Sequence, residues 1–173
     1  ANGPGPRLAG RAVDLAGVRA SFELVVSIGL CGALEPCLKA GEVVVVSRVV
    51  PAEGGPEHQV QLPESVADHR TVSLISQDRI AVTVEEKRAL RESGAAVVEM
   101  EAYGVACSAA RLHLPFACVR VVSDTSEEGF ALDLNSMRSA DGHFSSTRIV
   151  SAALRRPARL IPELFRLQRR SRS

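Results

Sequence analysis

The chain has 173 residues, of which 46% are hydrophobic and 24% charged, and its formal net charge is +1. That length buries a core large enough for one domain, and the composition excludes a disordered chain. No uncharged run approaches the ~20 apolar residues of a membrane span, and the small net charge argues against a chain built to coat nucleic acid.

The elements follow from periodicity. Leu8, Ala12, Leu15 and Val18 stand at helical spacing behind Gly3-Pro4-Gly5-Pro6 and predict a helix over 8–19. Residues 23–28 read as a short buried strand that ends in a small-residue turn, Gly29-Leu30-Cys31-Gly32-Ala33. The Val-rich stretch 42–50 is the next strand, closed by Pro51 and the Gly54-Gly55-Pro56 turn. No helix fits between these two strands, so their connection is short and a mixed sheet is expected. Residues 71–75 form a third strand candidate. Thr83 and Glu86 have capping-box spacing and open a helix that Gly94 stops. A strand over 95–100, a helix over 101–112 and a strand over 116–122 follow. Residues 125–144 are loop-like, and helices are expected over 145–154 and 160–169. The order predicts an α/β fold, a three-layer αβα sandwich with a mixed central sheet.

Four cysteines, Cys31, Cys37, Cys107 and Cys118, form no Cys-x-x-Cys pair and have no histidine at metal-ligand spacing. Their apolar surroundings read as structural, reduced thiols. No secretory or transit signal is visible over residues 1–21, and a cytoplasmic location is expected. From Arg155 onward, seven arginines face one acidic residue, Glu163. A solvated last helix explains that asymmetry, and a polyanion or membrane-surface contact is the alternative.

In open α/β sheets ligands sit beyond the carboxyl ends of strands, and three such ends are unusual here. At the first, two glycines among residues 29–33 let backbone amides approach a ligand, although simple turn geometry also explains them. No Gly-x-Gly-x-x-Gly or Walker pattern occurs. At the second, Glu99 and Glu101 flank Met100 and share one face if the strand extends that far. A ligand hydroxyl pair is a natural partner for a buried carboxylate there, and a cap on the next helix is the competing role for Glu101. At the third, an apolar strand delivers Ser123-Asp124. A carboxyl so placed can have a raised pKa and serve as a general acid, or simply make a turn or cap. One strand-helix-strand unit puts Glu101 and Asp124 at the same edge of the sheet.

Ser27-Ile-Gly-Leu-Cys-Gly-Ala-Leu34 with Leu38-Lys-Ala-Gly-Glu-Val-Val-Val45, then Val98-Glu-Met-Glu-Ala102, then Val121-Val-Ser-Asp124, resemble in order three signatures of the nucleoside phosphorylase and nucleosidase superfamily. Within it, the chain resembles methylthioadenosine/S-adenosylhomocysteine nucleosidases and hopanoid-associated phosphorylases. The resemblance implies cleavage of the N-glycosidic bond of a purine nucleoside, by water or by phosphate as co-substrate. It implies that Asp124, supported by Ser123, protonates the purine N7. Glu101 would bind the ribose 2′ and 3′ hydroxyls, Met100 would pack on the sugar, and Glu99, Cys31, Gly32 and Ile80 would complete the site. Neither a metal nor another cofactor is implied, and a homo-oligomer is.

Two departures from the family pattern stand out. Leu30 occupies the place of a Ser or Thr in many relatives, and Ile80 falls near the place of a stacking aromatic, in a chain with five Phe, one Tyr and no Trp. The family also begins with a strand and loop that carry the phosphate-binding or water-activating residues, ahead of anything in this sequence. Residues 1–173 are therefore expected to form one nucleoside phosphorylase-like domain without the family's first strands. A non-catalytic nucleoside-binding or assembly protein on the same fold is the alternative, and a chance motif match on an unrelated α/β protein is a third reading.

Overall fold

A computed structural model describes residues 5–61, 68–130 and 135–137. Helix α1 (Pro6–Arg19) is followed by strands β1 (Val25–Ala33), β2 (Val43–Pro51), β3 (His58–Gln59) and β4 (Arg70–Ser76). Helix α2 (Val84–Arg91), β5 (Val97–Glu99), α3 (Ala102–Arg111) and β6 (Phe116–Asp124) complete the order, with a 3-10 turn at Asn135–Met137. The helices expected over 145–154 and 160–169, and the arginine-rich tail, lie outside the described residues.

The sheet runs β3-β2-β4-β5-β1-β6 and is mixed, as the short connection between the first two long strands requires. β4 is parallel to β2 and β5, and β1 is parallel to β6, whereas β5 meets β1 antiparallel. β2 also pairs antiparallel with β6, so β2, β4, β5, β1 and β6 close into a ring of hydrogen-bonded strands. Alternation along the strands separates two apolar clusters. Leu74 and Val97 pack with Ala102, Val105 and Ala109 of α3 and with Ala9 and Val13 of α1. Their neighbours Ile75 and Val98 pack on the opposite face with Leu34, Ala81, Ala95 and Leu90 of α2. Helices thus cover both faces. α1 and α3 cross closely because a Cβ on Gly104 would run into the Pro6 carbonyl.

Three local expectations are corrected. Residues 29–33 are not a turn: they extend β1, with a bulge between Cys31 and Gly32 against β6. Ladder partners hold them extended, with Leu30 opposite Val121 in β6, and Gly32 and Ala33 opposite Val98 and Val97 in β5. The glycine is needed for closeness: a Cβ on Gly32 would stand 3.0 Å from Asp124 Oδ2. Second, His58–Gln59 form a strand after the Gly54-Gly55-Pro56 turn, pairing with Arg48 and Val49. Two residues are too few to carry a period in the sequence. Third, β5 stops at Glu99, so Glu99 and Glu101 do not share a strand face; Glu101 occupies the N-cap position of α3 instead. The α2 capping box forms as its spacing predicts. Thr83 Oγ1 accepts from Glu86 N at 3.1 Å, and Glu86 Oε2 accepts from Thr83 N at 3.1 Å.

Candidate active site

The last residues of β1, the end of β5 and the end of β6 converge on a cavity of about 330 Å³. Leu30, Cys31 and Gly32 form one wall, Val98, Glu99, Met100 and Glu101 another, and Ser123 and Asp124 a third. Arg79, Ile80 and Ala81 behind β4, Lys87 of α2 and Phe130 close it. Eight residues assigned to the site from the sequence, Cys31, Gly32, Ile80, Glu99, Met100, Glu101, Ser123 and Asp124, line this one cavity. A larger cavity of about 580 Å³ lies between α1, α3 and the ends of β2 and β4, but none of those eight residues reaches it. Its Asp14 and Arg111 are paired with one another at 2.7 Å.

Asp124 is 4% exposed. Its Oδ2 accepts from Lys87 Nζ at 2.5 Å, and its Oδ1 lies 2.5 Å from Ser123 Oγ. The same hydroxyl stands 3.0 Å from the Cys31 carbonyl. Among the described residues, the Cys31 carbonyl and Asp124 Oδ1 both face this hydroxyl, which has one proton to give.

Glu99 is equally buried but differently used. Its Oε2 accepts from Glu101 N at 2.8 Å, from Ala102 N at 2.9 Å and from Arg120 Nη2 at 2.8 Å, and its Oε1 accepts from Ala102 N at 3.0 Å. These amides open α3, so the helix terminus expected to attract Glu101 is capped by the Glu99 side chain instead. Arg120 also donates to the Ser27 carbonyl at 2.9 Å and to Ser27 Oγ at 2.8 Å, while its Nε has no partner among the described residues.

Glu101 Oε1 accepts from Gly5 N at 3.4 Å, and its side chain also meets that of Glu99. Burial pushes its carboxyl above the usual range, and the neighbouring Glu99 charge adds to this; the Gly5 amide and the more distant Arg120 pull the other way. The result is a half-buried carboxyl facing the cavity. Met100 is 8% exposed beside it. The Cys31 thiol is pushed up to about 12 by burial and that of Cys118 to about 11, so neither supplies a thiolate nucleophile at neutral pH. The backbone N–H and C=O of Ile80 are both taken by the Asn135 side-chain amide, at 2.8 and 2.9 Å.

Sequence reasoning missed Lys87, Phe130 and Arg120. Arg120 had a readable signal, a charge in the middle of an apolar strand, since charged residues are almost never fully buried unless paired. Phe130 had none: it comes from the stretch read as loop and supplies the aromatic wall expected to be absent. Lys87 sits among charged residues of α2 and looks exposed by composition. Among the described residues, no helix is long and apolar enough to cross a membrane.

Solved structures share this fold. A putative methylthioadenosine nucleosidase from Weissella paramesenteroides superposes with a TM-score of 0.65 at 23% identity, over 75% of this chain and 70% of that one. A futalosine hydrolase mutant from Helicobacter pylori gives 0.66 at 18% identity, over 75% and 69%. An aspartate-to-asparagine mutant of the Helicobacter pylori nucleosidase MTAN, with 5′-methylthioadenosine in its active site, gives 0.68 at 18% identity, over 87% and 76%. No curated protein matches the chain in sequence. The phosphorylase superfamily matches residues 2–155, nearly the whole chain. With that match behind the layered sheet and the converging strand ends, the chain belongs to the phosphorylase superfamily.

Proposed function

We propose that the protein cleaves the N-glycosidic bond of a purine nucleoside, with Asp124 as the general acid. The observation that carries this reading is that a single cavity of about 330 Å³ holds the Asp124 and Glu101 carboxyl groups together. That volume lies within the range of small-molecule sites, about 300–1,000 Å³. Departure of the base leaves an oxocarbenium-like sugar, so a proton delivered to the purine N7 lets the base leave neutral. Ser123 suits that task. Its hydroxyl reaches both the Cys31 carbonyl and Asp124 Oδ1 and can donate to either. Glu101 accepts hydrogen bonds from the ribose 2′ and 3′ hydroxyls, Met100 packs on the sugar, and Ile80 and Phe130 flank the base. The attacking group is water or inorganic phosphate.

A specific observation favours a second reading, nucleoside binding without turnover: the wall of the cavity carries Leu30 where many relatives place a hydroxyl. The two separate in one experiment. Base release from 5′-methylthioadenosine, adenosine and inosine is followed with and without phosphate, with calorimetric binding in parallel. 5′-Methylthioadenosine comes first because a relative of the same fold held it. Release of adenine supports the enzyme; tight binding without release supports the second reading; neither release nor binding overturns both.

A further inference from the structure

Lys87 is 1% exposed on α2, and all three of its ammonium protons are used. Its Nζ donates to Asp124 Oδ2 at 2.5 Å, to the Thr125 carbonyl at 2.6 Å and to the Glu128 carbonyl at 2.7 Å. All three acceptors belong to the short segment that leaves the end of β6. Burying an ammonium is costly even when it is paired, and an apolar side chain of the same length would fill the space without that cost. The cation therefore needs a reason beyond packing, and the only charged group it touches among the described residues is the carboxylate at the cavity wall.

We propose that Lys87 is a positioning residue for proton transfer by Asp124. It fixes the carboxyl at the edge of the cavity and neutralises the charge that appears there as the proton departs. This rests on the role given to Asp124 above. In the step, the O–H bond of Asp124 breaks as an N–H bond forms on the base. The electron pair of the glycosidic bond goes to the base, and the sugar cation is taken by water or phosphate. The negative charge left on Asp124 lies against the Lys87 ammonium, which keeps all its protons. A preorganised charge aimed at where charge develops acts on the transition state more than on the bound substrate.

The test uses two substrates that differ in their need for an acid. 5′-Methylthioadenosine requires protonation of its base; p-nitrophenyl β-D-ribofuranoside releases a stable anion and does not. Steady-state kinetics are measured on the full chain as wild type, Lys87→Met, Asp124→Asn and the double variant, with thermal unfolding to verify that each is folded. Lys87→Met is expected to lower kcat on the nucleoside about 10²-fold with little change in KM, and to leave nitrophenyl riboside turnover near wild type. The double variant is expected to be no slower than Asp124→Asn alone, because the two residues act as a unit. Should Lys87→Met not fold, Lys87→Gln, which keeps hydrogen-bond donors without the charge, is expected to show the same split. Wild-type cleavage of both substrates with proportional loss on both in the Lys87 variants overturns the role of Lys87 while leaving the proposed activity standing. If the wild type cleaves neither, the proposed activity fails and this role falls with it.

Discussion

Two buried carboxylates, Glu99 at the end of β5 and Asp124 at the end of β6, each face a buried cation, Arg120 and Lys87 respectively. Among the described residues, Glu99 accepts from the Glu101 and Ala102 backbone amides and the Arg120 guanidinium. All of those are donors, which a carboxylate can serve and a carboxylic O–H cannot. Asp124 has a cation on one oxygen and a hydroxyl on the other, and a hydroxyl can reverse its direction of donation. The difference teaches how similar ion pairs divide labour. Glu99, surrounded by fixed donors, holds the start of α3 against β6. Asp124, with a hydroxyl that can turn beside a cavity, is the one we propose as the acid.

The comparison breaks most sharply at Asp124. Asp124→Asn is expected to lower base release by about 10²–10⁴-fold through loss of the acid. Chromatographic detection of free adenine checks this, and undiminished turnover would remove Asp124 from the chemistry. Next comes Arg120→Met, which leaves Glu99 without its cation. The expected loss is about 3–5 kcal/mol of folding stability, read from urea unfolding; a loss below about 1 kcal/mol, the level of a surface ion pair, would contradict the scaffold role.

Glu101, two residues from Glu99, tests what a half-buried carboxyl at the cavity wall is for. Glu101→Gln is expected to weaken nucleoside binding by about 1.5–3 kcal/mol, the size of a hydrogen bond to a charged group. Its effect on stability has the opposite sign. Because burial holds the Glu101 carboxyl above the usual range, the folded state keeps a proton that the unfolded chain has already lost. Wild-type stability therefore falls as pH rises from the ordinary carboxylate value through the higher folded value, and this group contributes nothing below that window. Melting temperatures measured across pH should show Glu101→Gln above wild type at neutral pH and level with it in acid. The smallest effect is expected far from either carboxylate. Thr83→Ala removes one side of the α2 capping box and should cost about 1 kcal/mol of stability; any larger effect on kcat than on unfolding would mean that α2 transmits to Asp124 through Lys87.

Much of the candidate site was legible because its residues cluster at strand ends. Val98 to Ala102 and Val121 to Asp124 are apolar runs that terminate in carboxylates, a local pattern visible without any tertiary knowledge. The capping box of α2 and the short link between β1 and β2 were legible for the same reason: each is settled within a few residues. What each carboxylate touches was not. Glu99 and Glu101 look equivalent in sequence and both line the cavity, yet it is Glu99 that pairs directly with Arg120, 21 residues away. Lys87 reaches Asp124 across 37 residues, and Gly29 to Ala33 became strand instead of turn because β5 and β6 supply ladder partners on either side.

By itself the sequence determined the α/β order, the mixed sheet, the start of α2 and the carboxylates at the ends of β5 and β6, because periodicity and capping act over one or two turns of chain. The tertiary structure alone decided which cation each carboxylate meets, that Phe130 walls the cavity and that a lysine of α2 is buried against Asp124. Those outcomes depend on strand pairing and long-range burial, and neither the energy of a buried charge nor its partner is encoded in the residues beside it.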